Sequence, residues 1–162
     1  LKSEDTSDIR IGVFVCDCGS NIAGYLDMKA LVEYSKTLPN VVFVQENLYT
    51  CSEGGINEIK VAIPREGLNR VVVASCTPRT HEPLFMSACE EAGMNPYLFE
   101  MANIRDQCSW VHMREGEKGT ERAKGQIAMA VAKAARLREL SRIKLGLTHR
   151  AVVIGGGISG MS

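Results

Sequence analysis

Between residues 9 and 113 the chain runs four times through one pattern: an apolar β-branched run, a turn-forming loop, then apolar residues at helical spacing. Runs apolar on both faces suit strands buried between two layers of helices, and their alternation with helices joins them in parallel. The first unit is a strand over 9–17 (IRIGVFVCD) and a loop at Cys18-Gly19-Ser20-Asn21. A helix follows, capped by Asp27 and carrying Leu31, Val32, Ser35 and Leu38 until Pro39-Asn40 stops it. The second is a strand over 41–48, a loop at Cys51-Ser52-Glu53-Gly54-Gly55 and a helix over 56–63. The third is a strand over 70–74 (RVVVA), a loop at Ser75-Cys76-Thr77-Pro78 and a helix over 82–92 closed by Gly93. The fourth is a short strand over 96–100 with a short helix near 104–113. A long helix over 120–141, with Ile127, Val131, Ala134 and Leu137 on one stripe, closes the unit. The pattern predicts an α/β fold: a flavodoxin-like or Rossmann-like parallel sheet of about four strands with helices on both faces.

The flanks read differently. Residues 1–8 are polar without periodicity and are expected to be a disordered lead or an expression remnant, leaving 9–141 as the α/β domain. Residues 142–150 (RIKLGLTHR) read as a linker. Residues 151–162 read as a strand, AVVI, followed by G-x-G-x-x-G on Gly155, Gly157 and Gly160, the pattern that brings backbone close to a pyrophosphate. The pyrophosphate of that motif sits on a helix N-terminus, which here would lie beyond Ser162. The expectation is therefore a piece of a longer protein that continues into a domain for FAD or NAD(P). With 162 residues the chain can bury a sufficient core without disulfides or metal, so a metal would be there for function. Nineteen basic residues balance 19 acidic ones with no basic cluster, which argues against nucleic acid or an anionic membrane surface as partner. No apolar run approaches the roughly 18 residues of a spanning helix, and the opening LKSEDTSDIR lacks a leader pattern; no membrane insertion and a cytoplasmic location are expected.

The six cysteines carry the chemistry. Cys18 follows the first strand, Cys51 the second and Cys76 the third, while Cys108 lies beyond the fourth. The carboxyl ends of parallel strands share one edge, so these four thiols should converge where open α/β domains bind their ligands. Cys16, two residues before Cys18, is a fifth candidate. Converging thiolates suit zinc or an iron–sulfur cluster, and without a C-x-x-C knuckle or a ferredoxin-type run the spacing does not choose between them. A redox or nucleophilic Cys76, near His81, is a third option. Cysteine is also a common core filler, which is the better reading for Cys89 on the apolar face of Leu84, Phe85, Ala88 and Ala92. His81 and His112 read equally well as hydrogen-bonded loop and surface residues.

Four stretches carry a family resemblance. They are Val15-Cys16-Asp17-Cys18-Gly19-Ser20-Asn21-Ile22-Ala23-Gly24, Tyr49-Thr50-Cys51-Ser52, the run from Asn69 through Ser75-Cys76-Thr77-Pro78-Arg79-Thr80-His81-Glu82-Pro83, and Ala102-Asn103-Ile104-Arg105-Asp106-Gln107-Cys108-Ser109-Trp110-Val111-His112. In this order they resemble the N-terminal region of the heterodisulfide reductase A-subunit, and the likeness extends over about residues 9–160. Where that family commonly has His between its first two cysteines, this chain has Asp17.

The resemblance implies an iron–sulfur flavoprotein, with FAD and 4Fe-4S clusters in the longer parent, taking part in flavin-based electron bifurcation linked to reduction of a disulfide. Its implied partners are other heterodisulfide reductase subunits and a hydrogenase- or dehydrogenase-type electron donor. Carried over by position, Cys18, Cys51, Cys76 and Cys108 match the family's motif cysteines, with Cys16 also matching. Gly155, Gly157 and Gly160 match the start of its FAD domain. On this reading the chain is an electron-transfer module of a multi-subunit oxidoreductase, without turnover of its own. The competing expectation is a cluster-free or zinc-stapled docking domain of the same complex.

Overall fold

The computed structural model describes residues 8–161. Four strands, β1 (Ile11–Cys16), β2 (Val41–Asn47), β3 (Arg70–Ser75) and β4 (Phe99–Asn103), form one parallel sheet in the order β2-β1-β3-β4. That order is the flavodoxin-like one, with β1 between β2 and β3, and it resolves the choice left open by the strand pattern. Four helices cover it: α1 (Met28–Lys36), α2 (Glu53–Arg65), α3 (Pro78–Glu91) and α4 (Gly116–Ala134).

Handedness assigns the layers. The chain steps one way from β1 to β2, then reverses to β3 and β4, so right-handed crossovers put α1 on one face and α2 and α3 on the other. The core follows suit. Ile11, Val13, Val15, Val72 and Ala74 pack under Leu31 of α1 and Ile127 and Val131 of α4. Phe14, Val71 and Val73 pack under Ile59 of α2 and Phe85 of α3. Every residue of β1 is buried, as a central strand covered on both faces requires.

Local signals set most boundaries. Asp27 caps α1, its carboxylate accepting from the Ala30 amide at 2.9 Å, while its own amide donates to Thr120 Oγ1 of α4 at 3.0 Å. Ser52 caps α2 by accepting from the Gly55 amide at 3.2 Å. Gly93, at φ +85°, ends α3 with paired bonds from its own amide to Glu90 O and from the Met94 amide to Cys89 O.

Several boundaries differ from the sequence expectation. Helix α3 starts at Pro78 rather than residue 82, because proline at the first helical position lacks only an N–H that would be unbonded anyway. The fourth strand begins at Phe99, since 96–98 form a 3-10 turn capped by the Asn95 side chain. Between Arg105 and Ser109 the backbone forms a single π-type turn rather than a helix to residue 113. Helix α4 starts at Gly116 and stops at Ala134, seven residues short of the expected end. Beyond it, Arg70 donates to Leu137 O at 3.1 Å and Asn95 to Leu140 O at 3.0 Å, so side chains at the sheet's amino edge hold an extended segment. The expected strand over 151–154 is not formed: Val152 and Ile154 are exposed and no neighbouring strand among the described residues pairs with them. The α5 turn, Ile158–Met161, follows directly. Among the described residues no helix is long and apolar enough to cross a membrane.

Candidate metal centre

The chain leaves β1 and β3 toward opposite sides of the sheet, which opens a crevice at their carboxyl ends. Cysteines border it. Cys16 is the last residue of β1 and Cys18 lies two beyond; Cys51 directly precedes the α2 cap and Cys76 directly precedes Thr77, the α3 N-cap. Both Cys51 and Cys76 therefore sit beside a helix N-terminus, where unpaired amides favour negative charge on sulfur.

The turn after β1 is held firmly. The Asp17 and Cys18 amides donate to Asn47 O and Leu48 O at 2.9 and 3.0 Å, carrying the β1–β2 ladder past the end of the strand. Cys18 then takes a left-handed conformation, φ +43° and ψ +40°, followed by Gly19 at φ +54°. A non-glycine residue there costs roughly 1 kcal/mol, and such strain persists only where surrounding bonds impose it. The kink breaks strand alternation: Cys18 packs beside the α1–α4 layer, Cys51 and Cys76 beside the α2–α3 layer. Cys16 Sγ accepts from the Thr50 amide at 3.4 Å, which anchors the loop that carries Cys51.

Electrostatics shows which thiols are neighbours. Burial raises the pKa of Cys18, and Cys16 and Cys76 push it the same way. Burial raises Cys51, with Cys16 and Cys18 adding to it. Burial raises Cys76 too, opposed by Arg105 and reinforced by Cys51 and Cys16. Each of these four thiols thus acts on, or feels the charge of, others among them. Cys108 is fully buried in the α1–α4 layer that Cys18 also borders, its Sγ 4.0 Å from Asn103 O, and burial pushes it up to about 11 with no other thiol contributing. Cys89, buried in the opposite layer, is pushed up to about 12 by burial alone. All six cysteines are free thiols. Among the described residues no three His, Cys, Asp or Glu side chains stand close enough together to grip a metal ion. The group is a gathering of thiols around a crevice and not a closed ligand cage.

Unpaired polar atoms lie at the same edge. Asp17 Oδ1, Asn47 Oδ1, Thr50 Oγ1 and Ser75 Oγ are buried without hydrogen-bond partners, and all lie at or just past the ends of β1, β2 and β3. Such atoms cost about 1–3 kcal/mol each when nothing satisfies them. The Thr50 and Ser75 hydroxyls can donate to an anionic group seated among the thiols. Asp17 is raised to about 6, first by burial and then by the neighbouring Glu46 carboxylate. Soft donors with free hydroxyl protons beside them fit an iron–sulfur cluster in donor chemistry.

Arg105 is the site residue that the strand-end argument missed. It brings the cation whose charge opposes the burial of both Cys18 and Cys76. The available signal was an arginine placed two residues after the fourth strand, on the rim shared with the cysteines. The histidines play smaller parts: His81 sets its ring edge against Phe85 at 6.5 Å, and His112 Nδ1 lies 3.1 Å from Glu115.

A thiol test follows from burial. Alkylation of the metal-free native chain at pH 8, read by peptide mass spectrometry, should label Cys18 and Cys51 first and spare Cys89 and Cys108 until the protein unfolds. Early labelling of Cys108 would contradict its placement in the α1–α4 layer.

Fold and rim define an open parallel α/β domain with cysteines at the carboxyl ends of its strands, around the topological switch point. Comparison with known proteins gives that domain its relatives. The chain is 56% identical over 152 residues to the second iron–sulfur A-subunit of CoB–CoM heterodisulfide reductase from Methanopyrus kandleri, covering 94% of this chain and 23% of that protein. It is 51% identical over 160 residues to the A-subunit of the H2:CoB-CoM heterodisulfide, ferredoxin reductase of Methanothermobacter thermautotrophicus, covering 99% of this chain and 24% of that protein. It is 46% identical over 153 residues to the A-subunit of the ferredoxin/F420H2-dependent CoB-CoM heterodisulfide reductase of Methanosarcina acetivorans, with 94% and 19% covered. No family model matches the chain. The chain is homologous to the heterodisulfide reductase A-subunit over nearly its whole length, and it spans 19–24% of the length of these relatives.

Proposed function

We propose that this chain is the electron-transfer domain of a protein like the heterodisulfide reductase A-subunit and carries a 4Fe-4S cluster on Cys16, Cys18, Cys51 and Cys76. The observation that supports the reading is the charge each of these thiols exerts on others of the four at the carboxyl ends of β1 to β3, with Cys51 and Cys76 beside helix N-termini. Cys108 matches a family motif position but is fully buried and no other thiol acts on it, so this reading puts Cys16 in its place in the ligand set. The names of the relatives support iron–sulfur chemistry, since one of them is called an iron-sulfur subunit.

A bound cluster would accept and release single electrons. The residues of this chain supply the rest: thiolates to hold iron, the α2 and α3 N-terminal amides to offset negative charge, and the Thr50 and Ser75 hydroxyls to donate toward sulfide. The domain would act within a cytoplasmic, FAD-dependent disulfide-reducing complex, exchanging electrons with other subunits and a hydrogenase- or dehydrogenase-type donor, without turnover of its own. Gly155, Gly157 and Gly160 would approach FAD in a longer chain. Their geometry suits a tight turn, because a Cβ on Gly160 would fall 2.4 Å from Gly155 O.

The test is iron and acid-labile sulfide in anaerobically reconstituted protein, with about four of each per chain expected for a 4Fe-4S cluster. Zinc without sulfide would favour the zinc-stapled docking domain instead. Reconstituted protein holding neither would leave the cluster-free docking domain.

A further inference from the structure

The cation at the rim is held more firmly than a surface arginine. Its side chain is only 22% exposed, and its Nε donates to Asp106 Oδ1 at 2.9 Å. Its guanidinium lies over the Trp110 ring, 4.7 Å from the centroid. Asp106 is fixed in turn: its amide donates to Asn103 Oδ1 at 2.9 Å, and Asn103 Nδ2 donates to its Oδ2 at 3.0 Å. Asn103 is the last residue of β4, so this chain of contacts ties the guanidinium to the sheet. Asp106 accepts the Nε–H hydrogen bond, leaving the outer nitrogens of the fork free, and Ser109 of the same turn ties that turn to the loop after Cys18 by donating to Asn21 O at 2.7 Å. The same charge reaches Cys76, on a different loop.

We propose that Arg105 is a positioning residue for redox poise: a fixed positive charge, clamped between Asp106 and Trp110 on the turn bonded to the Cys18 loop, that raises the reduction potential of the group held by the rim thiols. The inference rests on the cluster reading above. Adding one electron makes the thiolate-bound group more negative, so a cation held nearby stabilises the reduced form more than the oxidised one. Asp106 partly offsets that charge, which predicts opposite effects for the two partners. A stacked, bonded guanidinium also keeps its position as the charge beside it changes, which a mobile lysine would not.

The experiment is a redox titration of the reconstituted full chain, followed by electron paramagnetic resonance. Arg105→Gln should move the oxidised-to-reduced ratio at a given potential about tenfold toward the oxidised form, a fall of about 59 mV for one electron. Asp106→Asn should move it the other way. Arg136→Gln, at the opposite edge of the sheet beside Ile9 and Pro39, should leave it unchanged. If wild-type protein assembles no cluster, the reading beneath this inference fails and takes it down. If wild type holds its cluster and Arg105→Gln titrates with Arg136→Gln, only the role of Arg105 is overturned. Should the glutamine variant hold no cluster, Asp106→Asn decides, a rise supporting the proposal and no change or a fall overturning it.

Discussion

Serine in place of Cys51 or Cys76 should abolish the near-visible absorption of the reconstituted protein, whereas alanine at Cys89 should leave it intact. The contrast follows from position. Cys51 and Cys76 each precede a helix cap at the crevice and act electrostatically on other thiols of the group. Cys89 is fully buried in the layer of Phe85, Ala88 and Met94, and no other thiol acts on it. Removing its sulfur should cost about 1–2 kcal/mol of packing and no iron. Cys16→Ser and Cys108→Ser extend the comparison: the first should lose the absorption and the second should keep it. Iron and sulfide content alongside circular dichroism separates ligand loss from unfolding. Retention by Cys16→Ser with loss by Cys108→Ser would return the fourth ligand to the position that the family motif suggests.

Gly55→Ala is the second large effect, and it acts through the backbone. Gly55 lies in the first turn of α2, where its amide meets the Ser52 cap. A Cβ there would fall 2.6 Å from Thr50 O and 2.7 Å from both Thr50 Cα and Tyr49 O. All three are main-chain atoms of the loop that leads into Cys51, so no flexible side chain can give way. Overpacking of this kind costs about 2–3 kcal/mol, a fall in melting temperature on the order of 8 °C for a chain of this size. The displaced loop also carries the Thr50 amide that anchors Cys16 Sγ. Cluster content should therefore fall together with stability. Gly125→Ala, in the interior of α4 with open space around its Cα, is the control: it should leave cluster content unchanged and raise stability by about 0.5–1 kcal/mol.

Much of the architecture was legible because each strand is short, apolar on both faces and followed by turn residues. Asp27 and Gly93 announced real helix ends through capping chemistry that depends on local sequence alone. The failures share a different cause. The apolar stripe of α4 runs on to Leu137, but the decision to leave the helix is made by Arg70 and Asn95, distant residues that bind the carbonyls of the segment beyond. Likewise, Cys108 sits five residues past the end of β4, where the π-type turn packs it into the α1–α4 layer with its Sγ 4.0 Å from Asn103 O. No periodicity encodes that turn. Cys18 shows the limit from the other side: alternation would set it on the face of Cys16, and two consecutive left-handed residues turn it to the opposite layer. The resemblance of the motifs pointed to the family where spacing alone left zinc, iron–sulfur and thiol chemistry open.

The most direct measurement is the anomalous scattering of iron in crystals of the anaerobically reconstituted chain. The account predicts a compact iron peak at the β1–β3 crevice, bonded to Cys16, Cys18, Cys51 and Cys76 Sγ, with Cys108 Sγ left in its apolar layer. Iron bonded at Cys108, or dispersed over separate sulfurs with no shared centre, would contradict it.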